Sequence, residues 1–342
     1  MSDEAERPKR RQRYRGTHPR RFEEKYKELD PARDPETVAK VIASGKTPAG
    51  SHLPVMVEEC LAALKLVPGQ CGVDATLGHG GHAVRILERI GAEGFLVGLD
   101  VDPLERPKTE ARLRGLGFDG SVFEGVKSNY AGISKVVGER FPEGVDFVFA
   151  DLGCSSMQLD DPARGFSFKT AGPLDMRMNP GRGLSAAEWI ERVDAEDFEK
   201  VLMEHADEPR AGALAGALAG RRFGDTLELV RAVREAMPMM DEEVVGLAVR
   251  RVFQAVRIAV NDEFSSLDAF LRVLPGCLKA GGRAVILTFH SGEDRRVKKA
   301  FQQGEREGIY QSVSDGVVVA GGEERRMNPR SVPAKLRWAV KA

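Results

Sequence analysis

The run V-D-A-T-L-G-H-G-G-H at positions 73–82 constrains the fold more than any other part of this chain. It closes a short apolar segment (71–75) and opens another whose apolar positions 83, 84, 86, 87 and 90 recur at helical spacing. Gly78, Gly80 and Gly81 let the backbone approach a ligand without Cβ obstruction. The helix that starts there points its unpaired N–H groups into the same space. Strand, glycine loop and helix in this order predict the first unit of a parallel α/β sheet whose ligand lies beyond the strand C-termini.

The rest of the chain continues that rhythm. Apolar strands are predicted at 95–99, closed by Asp100, at 121–124, and at 145–150, closed by Asp151. Helices are predicted at 58–66, 108–116 and 130–138, and a strand returns at 283–289 before His290 and Ser291. An alternation over 334–340 predicts a closing antiparallel strand. Between them, 152–184 is rich in Gly, Asp, Pro and Met, and helical patterns follow at 195–205, 210–220, 226–237 and 241–260. Ser185 and Glu188 have capping-box spacing. The predicted architecture is an α/β, Rossmann-like fold with a mostly parallel sheet and a helical insertion. Residues 51–163 and 249–342 form the catalytic domain, and 164–248 the insertion for substrate recognition. Residues 1–50 form a basic, partly disordered extension, with short helices near 22–29 and 35–43.

Charge and cysteine usage narrow the setting. Net charge is −1, yet residues 1–27 hold ten Lys or Arg against five Asp or Glu, a distribution suited to a polyanion or to a solubilising tail. The four cysteines, 60, 71, 154 and 277, form no C-x-x-C pair, which fits a reducing, cytoplasmic setting and argues against a zinc ribbon. The first residues have no apolar core of a signal peptide, and no 18-residue apolar run predicts a membrane span.

The chemistry follows from acids at strand ends. Asp100, about twenty residues past the loop, is placed to accept both hydroxyls of a ribose. Gly78, Gly80 and Ala83 also fit the dinucleotide pattern G-x-G-x-x-A, so a nicotinamide or flavin enzyme is the rival reading. Asp74 weighs against it, because a carboxylate at that junction suits the ammonium of S-adenosylmethionine better than a pyrophosphate. Asp151, at the end of a further strand, belongs to the same set.

Ordered motifs along the chain resemble the bacterial 16S ribosomal RNA cytosine-N4 methyltransferase family. They are S-H-L-P-V-M (51–56), D-A-T-L-G-H-G-G-H (74–82), D-L-G-C-S-S-M-Q-L-D (151–160), R-G-F-S-F (164–168), P-L-D-M-R-M (173–178), F-Q-A-V-R-I (253–258) with Asn261, F-H-S-G-E-D-R (289–295) and N-P-R-S (328–331). The resemblance implies a class I S-adenosylmethionine-dependent enzyme that methylates N4 of a cytidine in the decoding centre, the alternative being another RNA base or acceptor. It assigns Gly80, Gly81, His82, Asp100, Tyr130, Asp151 and Gln158 to the cofactor, beside Asp74 and Gly78. Gly292 stands where the family has leucine, Thr288 where it has serine, Cys154 where valine is typical, and Val332 and Pro333 break the terminal N-P-R-S-R-S-A-K pattern.

Asp151, Ser155 and His290 are the candidates near the reacting nitrogen, Ser155 having a helix cap as its other reading. Cys154 has no partner base in its flanks and reads as a small buried side chain. For RNA the candidates are Arg164, Phe166, Phe168, Lys169, Arg177, Arg257, Arg295 and Arg330. No metal site is expected. The expected partner is small-subunit ribosomal RNA in an assembled or nearly assembled subunit, with a homodimer allowed.

Overall fold

A computed structural model of the chain describes residues 54–342. The basic extension, the two short helices expected in it and the first residues of the S-H-L-P-V-M motif lie outside the described residues.

The elements run α1 (Val57–Leu64), β1 (Cys71–Asp74), α2 (Gly81–Ile90), β2 (Phe95–Asp100), α3 (Glu105–Gly115), β3 (Phe123–Lys127), α4 (Ile133–Arg140), β4 (Val145–Asp151) and α5 (Ser156–Asp160). Helices α6 (Ala186–Arg192), α7 (Ala195–Ala206), α8 (Ala211–Leu218), α9 (Thr226–Glu235), α10 (Glu242–Val260) and α11 (Glu263–Cys277) follow. The chain returns through β5 (Leu278–Thr288), α12 (Ser291–Arg306), β6 (Tyr310–Val313), α13 (Gly322–Met327) and β7 (Lys335–Lys341). The seven strands lie in the order β3-β2-β1-β4-β5-β7-β6. β1 to β5 pair in parallel, and β7 is antiparallel to both neighbours. This is the Rossmann-like, mostly parallel α/β fold that the alternation predicts.

Strand alternation builds the two faces. Phe147 and Phe149 of β4 pack on one side with α1 and α2, whereas Val148 and Ala150 pack on the other with α4 and α11. A third apolar cluster runs from Phe166 to Val256 and contains Leu174, Met176, Phe198, Leu214 and Val249, so the helical segment has a core of its own. α10 continues unbroken across residue 248. Ser185 and Glu188 form the predicted capping box at the start of α6.

Several boundaries differ from expectation. The third strand lies at Phe123–Lys127 and not at 121–124, because Asp119 accepts from the amide and hydroxyl of Ser121 and holds that stretch in a turn. Residues 130–138 divide into a 3-10 turn at Tyr130–Gly132 and then α4, with the Asn129 side chain capping the turn. β6 is short and alternates weakly, so pairing with β7 alone defines it. α11 opens at Asp262 in a left-handed conformation, and β5 begins directly at its end.

Candidate functional site

Strand order reverses between β1 and β4, and the crevice beyond their C-termini is where an open α/β sheet binds its ligand. Thr76 stitches this point: its hydroxyl accepts from the Asp151 amide at 2.6 Å, and its own amide donates to Asp74 Oδ1 at 3.1 Å. β1, β2 and β4 each end in an aspartate, so strand length and register bring Asp74, Asp100 and Asp151 to one sheet edge.

The loop from Gly78 to His82 closes over that edge. Gly78 (φ +48°) donates its amide to Asp100 Oδ2 at 2.9 Å, and its carbonyl accepts from Thr109 of α3 at 2.6 Å. A Cβ there would meet no atom nearer than 3.7 Å, so the face of Gly78 is open. Gly80 is different: φ is +73° and a Cβ would stand 2.9 Å from Thr109 Cγ2. Gly81 lies tight against Pro54, which leaves room only for its hydrogen.

The acids are held in an unusual state. Burial pushes Asp74 up to about 7, against the Thr76 hydrogen bond that lowers it. Burial also pushes Asp100 up to about 6, although the amides of Asp102 and Gly78 donate to it. Asp151 rises to about 8 through burial first, then through the charges of Asp74 and Glu293. Its Oδ1 is buried without a hydrogen-bond partner among the described residues. Three carboxylates with little cationic compensation, an orphaned acceptor and an open glycine face fit a positively charged, ribose-bearing ligand such as S-adenosylmethionine.

His82 points elsewhere than a cofactor loop residue was expected to. Its ring is buried against Phe149 (4.7 Å between centroids), Nε2 contacts the Val55 carbonyl at 2.9 Å, and Nδ1 lies 3.6 Å from Asp151 Oδ2. Burial lowers it to about 4, so the ring is neutral. Tyr130 stacks edge-on against Phe270, and its hydroxyl donates to the Glu263 carbonyl at 3.2 Å, a partner within the protein. Gln158 spends its amide on protein groups: Oε1 accepts from Ser155 N, and Nε2 donates to Asp102 Oδ2 at 3.1 Å.

Asp102 is the residue the sequence did not reveal. It is 1% exposed and lies two residues past Asp100. Oδ1 accepts from the amides of Leu104 and Glu105, and Oδ2 accepts from Gln158 and from Arg164 Nη1 at 2.8 Å. The D-V-D spacing was visible, but its burial depends on an arginine 62 residues away.

That arginine corrects one expectation. Arg164 was expected on RNA; instead it is buried, donating to Asp102 and to the carbonyls of Arg177 and Met178, both at 3.0 Å. Arg257 likewise faces inward. It makes two 2.8 Å bonds to Glu263 and one contact to Cys154 Sγ, and Glu263 raises its pKa although burial works against the charge. Phe166 is buried in the helical core, and Phe168 packs edge-on against Phe253, so the R-G-F-S-F rings serve packing. Arg177 forks onto Asp175 at 2.7 and 2.8 Å. Lys169 is exposed, while Arg295 and Arg330 hold exposed pairs with Asp207 and Asp160.

Two catalytic candidates also turn out to be braced. Ser155 caps α5 in a capping box with Gln158, leaving its oxygen engaged by the Gln158 amide. His290 is nearly buried against Phe264, with Nε2 3.2 Å from Glu293 Oε1 but outside hydrogen-bond alignment. Glu293 accepts from the Phe289 amide, and its pKa is lowered by His290 and Arg257 against the cost of burial. Burial raises the Cys154 thiol, which disfavours the thiolate a nucleophile would need. Of the catalytic trio, Asp151 Oδ1 and the His290 ring nitrogens are thus without a hydrogen-bond partner among the described residues, and Asp151 alone is a carboxylate.

Comparison with known proteins follows the same line. Residues 49–342 match the model of the MraW methylase family. The Ribosomal RNA small subunit methyltransferase H 2 of Alkaliphilus metalliredigens is 45% identical over 100% of both chains. The Ribosomal RNA small subunit methyltransferase H 1 of Lachnoclostridium phytofermentans is 46% identical, over 98% of this chain and 93% of its own. Among solved structures, a SAM-dependent methyltransferase from Aquifex aeolicus has a TM-score of 0.38 at 13% identity, covering 90% of this chain and 97% of its own. At that level of likeness the strand order, not the superposition, defines the fold.

Proposed function

Because the chain belongs to the MraW methylase family and is a methyltransferase dependent on S-adenosylmethionine, we propose that it methylates the exocyclic N4 of a cytidine in the decoding centre of small-subunit ribosomal RNA, in the cytoplasm. The observation that carries the cofactor half is the trio of strand-end aspartates around an open glycine loop. The relatives' names and the ordered motifs support the RNA half.

In this reading Asp74 and the 78–81 loop take the amino-acid end of the cofactor, and Asp100 the ribose. Tyr130 lines the adenine side, and Gln158 and Arg164 hold Asp102 behind them. When bound, S-adenosylmethionine supplies an electrophilic methyl group on a sulfonium. The protein's task is to align a poorly nucleophilic amino nitrogen with that methyl and to accept the charge that develops. Asp151 accepts a hydrogen bond from the amino group. The amino nitrogen, taking the methyl as its bond to sulfur breaks, would become positive and give up one proton, which the Asp151 carboxylate would accept. Residues 164–248 recognise the substrate. Lys169, Arg295 and Arg330 are the cations left at the surface for phosphate, the last two through exposed ion pairs that RNA can exchange. The cytidine must leave its stack to reach the site.

The test is incubation of the protein with labelled S-adenosylmethionine and undermethylated small ribosomal subunits, followed by nucleoside mapping. Label in N4-methylated cytidine is the expected result. Label in another nucleoside reassigns the acceptor, and no transfer while cofactor binds overturns the reading.

A further inference from the structure

His82 is buried, yet its two ring nitrogens are not equivalent. The Val55 carbonyl at Nε2 can only accept, so Nε2 carries the hydrogen. The ring is neutral, which leaves a bare lone pair on Nδ1. That lone pair faces Asp151 Oδ2 at 3.6 Å. An ionised carboxylate would set lone pair against lone pair there. A proton on Oδ2 turns the same approach into an O–H···N contact, closed by a shift of under about 1 Å to the usual length.

The remaining groups around Asp151 favour the proton. Asp74 reaches it from β1 and Glu293 from the first turn of α12, both acids, and Cys60 of α1 lies within electrostatic reach. Of Asp151, Thr76 meets the backbone amide and not the carboxylate, and Oδ1 has no hydrogen-bond partner among the described residues. The imidazole is held by the Val55 carbonyl at Nε2 and by a tilted contact with Phe149 (46° between planes), so the geometry of the pair is set by the fold and not by a ligand.

We propose that His82 is a positioning residue for Asp151, its bare Nδ1 receiving a hydrogen bond from the Oδ2–H so that the unloaded site stores one proton on this pair. The imidazole therefore acts on the acid and not on the cofactor. When a cationic ligand enters, the proton leaves Asp151 for solvent and the carboxylate is freed for the amino group of the substrate. This last step rests on the function proposed above; the stored proton does not.

The experiment uses the full chain without cofactor or RNA. Long-range proton–nitrogen spectra of the 15N-labelled protein report the His82 tautomer, and carboxyl 13C shifts report the titration of Asp151. The expected result is an Nε2–H ring across neutral pH and an Asp151 midpoint near 8. In H82Q, which keeps a donor towards Val55 and removes the ring acceptor, that midpoint falls by about one pH unit or more. D151N retains a donor, so His82 keeps its tautomer. A wild-type Nδ1–H tautomer overturns the proposal even if H82Q does not fold, as does an unmoved midpoint in a folded H82Q. Failure of the ribosomal methylation assay leaves these spectra unchanged, so the two readings fail separately.

Discussion

Raising the pH from 6.5 to 8.5 should strengthen binding of S-adenosylmethionine much more than binding of S-adenosylhomocysteine, its product without the sulfonium charge. Asp151 stands at about 8 in the unloaded site. A cation held beside it selects the ionised form, so affinity follows the fraction of protein already ionised. That fraction is about 3% at pH 6.5 and about three quarters at pH 8.5, a gain of about 25-fold, or about 2 kcal/mol. Asp74, at about 7, faces the amino-acid end that both ligands share, so its factor of about four acts on both and cancels in their ratio. The sign is fixed by proton release: binding that expels a proton is favoured as pH rises to the pKa and levels off above it. The α-amino titration of each free ligand, lowered in S-adenosylmethionine by its sulfonium, is measured separately and removed from the ratio of their dissociation constants. Calorimetric titration of both ligands at five pH values measures that ratio, and D151N should flatten it. A ratio constant within about twofold across this range, or a slope unchanged in D151N, would refute the argument that the carboxylates are protonated while they wait for a cation.

Other perturbations separate packing from contact. R164M leaves Asp102 buried without its cation and should cost about 3–5 kcal/mol in denaturant unfolding, whereas R295A and R330A should cost no more than about 1 kcal/mol. If R164M unfolded at the wild-type midpoint, the buried-strut role would be wrong. G292L restores the residue usual in the family but drives a side chain into Phe264, whose Cζ lies 2.5 Å from the Cβ position. About 1–3 kcal/mol of destabilisation is expected, relieved in G292L/F264A. G80A meets both a left-handed backbone and Thr109, so its melting temperature and cofactor affinity should fall together, and T109S should restore part of the loss. Without cofactor, stability should decline as pH rises from 6.5 to 8, since the folded Asp74 and Asp151 hold protons that the unfolded chain has lost. A melting temperature rising over that range would contradict this.

The sheet was legible because its cause is local. Apolar runs closed by Asp100 and Asp151, and a glycine loop feeding a helix, each announce a strand end within a few residues, and the structure sets all of them on one edge. β6 was not legible, because four residues carry too little alternation and the partner that defines them comes later in the chain. The left-handed residues that turn the chain into α1 and α11, Met56 and Asp262, give no warning either, since neither is glycine.

The arginines show why composition at a site misleads about its use. Arg164, Arg177, Arg257, Arg295 and Arg330 are the same residue type in motif-rich segments, and each offers the same fork to a phosphate. Their fates divide by whether an acid waits inside the fold. Asp102 and Glu263 are buried and must be neutralised by a cation, so they draw Arg164 and Arg257 inward. Asp207 and Asp160 are exposed, hydrated without help, and hold Arg295 and Arg330 only loosely. The aspartates of the cofactor edge obey the same rule with a different outcome. Among the described residues the fold supplies a buried arginine to Asp102 but none to Asp74 or Asp151, whose carboxyl groups burial pushes up instead. A site that withholds its own cation from two acids while granting one to their neighbour is arranged for the cation to come from the ligand.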